Sequence, residues 1–143
     1  MKTIKDTQKY LDELTEIVEL LEDKKQVLEF VIEQGESLER FPENKMLEKN
    51  LVKGCNSPVF IDLTVVDGKV NYLGFSDSLI IKGYMSIMLN ALNGLAPKDV
   101  LLSEKIFEDF LQKTKLNISL ISTRANAFGS IYKKILDLAK KRV

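Results

Sequence analysis

Apolar residues recur at three- and four-residue spacing through Tyr10, Leu11, Leu14, Ile17, Val18 and Leu21, which predicts an amphipathic helix from about Thr7 to Leu21. Glu22-Asp23-Lys24-Lys25 breaks that stripe. Asp23 is a helix-capping residue type, and a second stripe follows at Val27, Leu28, Val31 and Ile32, with Gly35 placed to end it. The pattern reads as two adjoining helices and not one rod. Residues 38 to 48 are polar around Pro42 and read as a connector with one helical turn.

After Ser57 the period changes to two. Val59, Ile61, Leu63 and Val65 alternate with Asp62 and Thr64, as in a strand of a sheet with one wet face. Asp67-Gly68 is a two-residue hairpin signal, and Lys69 to Phe75 returns as the partner strand with Val70, Tyr72, Leu73 and Phe75. A short strand near Leu51–Lys53 would bring the sheet to three. Ser76-Asp77-Ser78 then offers capping residues for a long apolar helix through Ile80, Tyr84, Met85, Ile87, Met88, Leu89 and Leu92, stopped by Asn93-Gly94. A helix apolar around so much of its circumference belongs in the core. Pro97 opens a short turn, and Ser103 is placed to cap a helix from Glu104 to Lys113. A last helix begins after Ser122 or Thr123 and uses Phe128, Ile131, Ile135, Leu138 and Ala139. There is no internal repeat and no linker long enough to divide the chain. The expected fold is a single α+β domain over residues 1–143, a small three-stranded antiparallel sheet with helices packed on one face.

A chain of 143 residues can bury a sufficient core without disulfides or metals. Lys plus Arg and Asp plus Glu both total 21, and this zero net charge argues against nucleic acid as a partner. No apolar run approaches the ~18 residues that would span a bilayer, so no membrane partner is expected. Met1 to Asp6 leads into charged helical sequence, not an apolar signal region. A cytoplasmic location is expected, where a lone free cysteine is at home. The charge is nevertheless polarised. Asp12, Glu13, Glu16, Glu19, Glu22 and Asp23 crowd the first helix; Lys133, Lys134, Lys140, Lys141 and Arg142 crowd the last. Two readings stay open, a pair of solvated helix faces or a docking surface.

Cys55 is the single cysteine of a chain with no histidine. That excludes a Cys–His nucleophile, a two-cysteine oxidoreductase, and a zinc or iron–sulfur site with three or four soft ligands. One sulfur can sit in a core as a small hydrophobe, or carry a group covalently between partners. Gly54 before it and Asn56-Ser57-Pro58 after it are turn residues, which puts Cys55 at the entrance of a strand. A free thiol with a pKa near ~8.5 is mostly protonated at neutral pH. Without histidine, its activation must come from backbone N–H groups, from cations such as Lys53 or Arg124, or from a partner. Phe60 or Phe75 are candidates to line an apolar shelter for the sulfur.

The run Asn50-Leu51-Val52-Lys53-Gly54-Cys55-Asn56-Ser57-Pro58-Val59-Phe60 resembles the sulfur-acceptor signature of SufE-type cysteine desulfuration proteins, N-x-V-x-G-C-Q-S-x-V-W. Asn56 stands where Gln is usual, and Phe60 where Trp is. Ser76-Asp77-Ser78-Leu79-Ile80-Ile81-Lys82-Gly83 is similar to the family's S-D-A-x-I-x-K-G. Ile121-Ser122-Thr123-Arg124-Ala125-Asn126-Ala127-Phe128 is similar to its L-S-x-x-R-x-N-G-L, with one residue fewer between Ser and Arg and Ala127 for Gly. Three blocks in the right order are far more specific than a lone G-C-x-S.

The resemblance implies a protein that works with a pyridoxal-phosphate-dependent cysteine desulfurase. Cys55 would accept the outer sulfur of the desulfurase's persulfide, stimulate that enzyme, and pass the sulfur to an iron–sulfur scaffold or another acceptor. It implies no cofactor and no metal on this chain, a sulfurtransferase-like carrier without independent turnover, and a monomer or weak dimer. Asp77 is explained by helix capping alone, but the resemblance adds a part in shaping the acceptor site. Arg124 opens a helix, where the dipole slightly disfavours a cation, so a transfer role stands beside a plain surface one; Asn126 is a weaker case. Two alternatives remain, a single-thiol redox sensor and a non-catalytic interaction module.

Overall fold

The computed structural model describes residues 1–55, 57–116 and 127–143. In chain order it contains α1 (Ile4–Glu19), α2 (Lys24–Gly35), two 3-10 turns (Glu43–Lys45 and Glu48–Asn50), β1 (Val59–Val66) and β2 (Lys69–Ser76). After the hairpin come α3 (Leu79–Leu92), α4 (Pro97–Val100), α5 (Glu104–Thr114) and α6 (Ala127–Lys140). The class is α+β, as the periodicity predicts.

The helical stripes form where the spacing puts them. Leu11, Leu14 and Val18 of α1 are buried, and the Asp23 carboxylate caps α2 by accepting the Gln26 N–H at 2.9 Å. Gly35 ends α2 as expected, and it also packs on α3. A Cβ there would lie 3.0 Å from the Gly83 nitrogen, and one on Gly83 would lie 2.1 Å from the Val31 carbonyl oxygen. The two helices cross with backbone against backbone because both positions lack a side chain. Helix α3 is the centre of the core: Tyr84, Met85, Ile87, Met88, Ala91 and Leu92 have no exposed surface.

β1 and β2 pair antiparallel from Val59↔Ser76 to Val66↔Lys69. Asp67 and Gly68 both take positive φ, 53° and 76°, the geometry that matches a two-residue turn to strand twist. Val59, Ile61, Val70 and Tyr72 face the helices and are buried. Tyr72 Oη donates to the Ile135 carbonyl at 2.8 Å, which ties the sheet to α6.

Among the described residues the sheet has two strands, not the expected three. The segment near Leu51 makes one isolated bridge, Leu51↔Phe60, with the Val52 N–H on the Val59 carbonyl at 2.7 Å. It cannot extend, because a 3-10 turn precedes it, Gly54 turns the chain at φ 91°, and Pro58 has no N–H to donate. The outer edge of β2 is covered in the same irregular way. Gly94 donates to Val70, Val70 to Leu95, and the Asn93 amide bonds both backbone groups of Tyr72. The second sheet face is also drier than expected. Phe41 from the connector is 5% exposed and Asp62 only 7%.

Candidate functional site

Val59 and Ser76 pair at the end of the hairpin away from its turn, so the Cys55 loop enters β1 where Asp77 leaves β2. Most of the first block builds this entrance. Asn50 is 2% exposed, and its Nδ2 donates to the Lys45 carbonyl at 2.8 Å, joining the two 3-10 turns. Val52 and Val59 are buried beneath the loop. Gly54 supplies the positive φ that a side chain would resist.

What approaches Gly54 is a side chain from α6. A Cβ built on Gly54 would stand 3.0 Å from Ser130 Oγ. Sequence reasoning misses Ser130, since nothing local marks a serine on a helix surface; only the packing of α6 beside the loop brings it there.

Cys55 is a free, half-buried thiol packed against the hydrophobic core. Burial pushes its pKa above the ordinary thiol value, because the low-dielectric surroundings disfavour the thiolate. Desolvation is the cause of this shift, and Lys53, one of the candidate cations, is exposed on the loop. The sulfur is therefore held mostly as thiol at neutral pH, half accessible and weakly nucleophilic.

The second block divides differently. Ser78, not Asp77, caps α3: its hydroxyl accepts the Ile81 N–H at 3.3 Å. The Ser76 hydroxyl in turn accepts the Ser78 N–H at 3.0 Å. Asp77 is exposed and lines a hollow with Arg40, Phe41, Phe75 and Lys82. Phe60 and Phe75 come together with Phe41, ring centroids 6.3 to 6.4 Å apart, on the face of the hairpin away from α3. Arg124 and Asn126 of the third block lie outside the described residues. Phe128 of that block is buried against Tyr84 and Phe107. Ser103 precedes α5 as expected, yet its hydroxyl bonds the Val100 carbonyl and Tyr132 rather than capping. Among the described residues no helix is long and apolar enough to cross a membrane.

Comparison with known proteins bears on these blocks together. The family described as "SufE: Fe-S metabolism associated domain" matches residues 12–139. An uncharacterized SufE-like protein of Synechocystis is 37% identical over 123 residues, 84% of this chain and 76% of that one. The cysteine desulfuration protein SufE of Wigglesworthia glossinidia brevipalpis is 31% identical over 115 residues, 78% of this chain and 76% of its own. That of Plasmodium falciparum is 31% identical over 73% of this chain, which spans 43% of the longer protein. The fold is similar to the solution structure of a hypothetical protein from Thermus thermophilus, with a TM-score of 0.69 over 92% of this chain and 94% of that one. At 17% identity that likeness is one of fold alone. With the family match running across nearly the whole chain and the block around Cys55 inside it, this protein belongs to the SufE family of Fe-S metabolism associated proteins.

Proposed function

We propose that Cys55 accepts sulfur from the persulfide of a pyridoxal-phosphate-dependent cysteine desulfurase and delivers it toward iron–sulfur cluster assembly. The carrying observation is that the chain's single thiol sits half-buried on a loop most of whose other matching residues are accounted for by structure. Asn50, Val52, Gly54 and Val59 all hold the loop. Of the residues left without a structural part, the sulfur is the one that can carry a group covalently to another molecule.

In the transfer, Cys55 sulfur attacks the outer sulfur of the desulfurase persulfide. A new S–S bond forms on Cys55, the S–S bond on the desulfurase breaks, and its cysteine leaves as thiolate. The proton lost by Cys55 goes to that thiolate or to solvent, so no external oxidant or reductant is consumed. A thiol whose pKa is raised by burial attacks slowly by itself, and the partner's site supplies the charge that favours thiolate. The same burial shields the sulfur between transfers.

The test is intact mass after incubation with a cysteine desulfurase of the same genome and cysteine. Wild type is expected to gain sulfur that a reducing agent removes, and to accelerate sulfide release. Cys55→Ser is expected to fold normally, gain nothing and give no stimulation. Stimulation by Cys55→Ser equal to wild type would sink the transfer reading in favour of binding alone. An oxygen or glutathione adduct formed without desulfurase would favour the redox sensor.

A further inference from the structure

The lysines at the end of α6 do not stay a helix surface. Lys133, Lys134, Lys140 and Lys141 converge with Lys49 and Lys53, from the segment leading to the Cys55 loop, on an open groove of about 790 Å³. Cations near a helix C-terminus are explained by the dipole. Lys49 and Lys53 are not, because they arrive from a different part of the chain. Glu48 and Asp137 are the acidic residues lining the groove, so its charged lining is net positive in a chain whose net charge is zero.

Among the described residues only Lys133 of the six lysines is ion-paired, to Asp137 at 3.0 Å. Lys134 donates to the Lys49 carbonyl. Its pKa is lowered by burial first and then by Lys141, with Lys53 and Lys133 adding to the effect and Asp137 opposing it. Six lysines held together against two carboxylates cost the free protein energy that an anionic partner recovers.

The groove also reaches the site. Ser130 lines it, and Ser130 is the side chain against Gly54; Lys53 lines it two residues before Cys55. We infer that this lysine groove docks an acidic segment of the protein that exchanges sulfur with Cys55. The inference rests on the acceptor reading above for its partner, and on the groove's charge and position for the rest. A polypeptide fits better than nucleic acid. The groove keeps two carboxylates of its own and the chain has no excess of basic residues, whereas binding to a phosphate backbone draws its affinity from many Lys and Arg contacts.

The test compares wild type, the triple variant Lys133→Glu/Lys140→Glu/Lys141→Glu, and a matched control, Lys5→Glu/Lys9→Glu/Lys113→Glu, outside the groove. Each is titrated at low and high salt with a fluorescein-labelled oligoglutamate peptide and with the desulfurase, and Cys55 loading is followed by mass. The groove variant is expected to bind both at least about tenfold more weakly at low salt, the sum of several exposed charge pairs, with the control near wild type. It is expected to stay folded with a somewhat lower melting temperature, since the Lys133–Asp137 pair and the favourable charges at the helix end are lost, and to keep the alkylation rate of Cys55. Equal peptide binding by the groove variant and wild type, or by neither, overturns the inference. So does salt-sensitive binding of single-stranded DNA, or self-association, that the groove variant alone loses while its desulfurase binding stays intact. If the peptide result holds but wild type takes no sulfur from the desulfurase, the acceptor reading falls and the acidic-segment groove stands.

Discussion

The segments Asn50–Phe60 and Ser76–Gly83 meet at one end of the hairpin, yet they are held by different physics. The first is a loop fixed from beneath. Asn50 ties the turns, Val52 makes a single ladder bond, and Gly54 leans on Ser130. Its sulfur is left half-buried with little regular structure around it. The second runs straight into the most buried helix of the molecule, so its residues are fixed by α3. Ser76 and Ser78 form the cap, and Gly83 admits the Val31 carbonyl. Asp77 and Leu79 are the residues of that run that stay exposed with no capping role, and of the two only Asp77 carries a charge. In both segments most matching residues are accounted for by folding, and Cys55 and Asp77 are the residues we propose to face a partner.

Exchanging one glycine for alanine in each segment separates the two kinds of support and gives the largest expected effect. A methyl group at Gly83 cannot coexist with a carbonyl oxygen 2.1 Å away. The α2–α3 crossing must open, at a cost of about 3 kcal/mol, the upper part of the usual overpacking range. Sulfur transfer per folded molecule is expected to be unchanged. Gly54→Ala meets positive φ and the Ser130 hydroxyl, but a loop gives way where crossed helices cannot. Its stability loss is expected near ~1 kcal/mol, with transfer reduced because Cys55 moves. Thermal melts and desulfurase stimulation on both variants check this. A Gly54→Ala protein that transfers normally would show that the loop needs no defined conformation.

The same contrast explains what the sequence let us read. The helical stripes, the Asp67-Gly68 turn and the apolar α3 were legible because each depends on neighbours in sequence. The third strand was not, because Val52 has the right side chain for a strand while Pro58 and Gly54 remove the donor and the direction a ladder needs. Gly35 was legible as a helix stop, but its packing on α3, far along the chain, was not. At the site, Cys55 was visible as the one thiol. Ser130 and the convergence of Lys49 and Lys53 with α6 were invisible, being products of tertiary packing.

A smaller effect distinguishes the residues of the second segment from one another. Ser78→Ala is expected to lose about 1 kcal/mol of stability, the usual value of an N-cap, and to stimulate the desulfurase like wild type. Asp77→Ala is expected to do the opposite. Its stability should stay within ~0.5 kcal/mol, as for an exposed position, while transfer weakens by an amount on the order of 1–3 kcal/mol, that of a lost charged hydrogen-bonding partner. If Asp77→Ala melts and stimulates like wild type, Asp77 leaves the site and the second segment is purely structural.

The smallest expected effect is the most direct reading of the first segment. Desolvation raises the Cys55 pKa, so the folded loop stabilises the neutral thiol and not the thiolate. That contribution is fully present below the unfolded-state pKa and is lost as pH rises through the folded one. Iodoacetamide reacts with thiolate, so the alkylation rate should rise with pH to a midpoint above that of the same chain unfolded in urea. At neutral pH the native protein should react more slowly than the unfolded one. Adding the desulfurase, blocked at its own cysteine, is expected to lower the midpoint if docking supplies the missing positive charge. A native midpoint below the unfolded one would mean that the loop activates its own sulfur, and the division between a passive loop and an activating partner would be wrong.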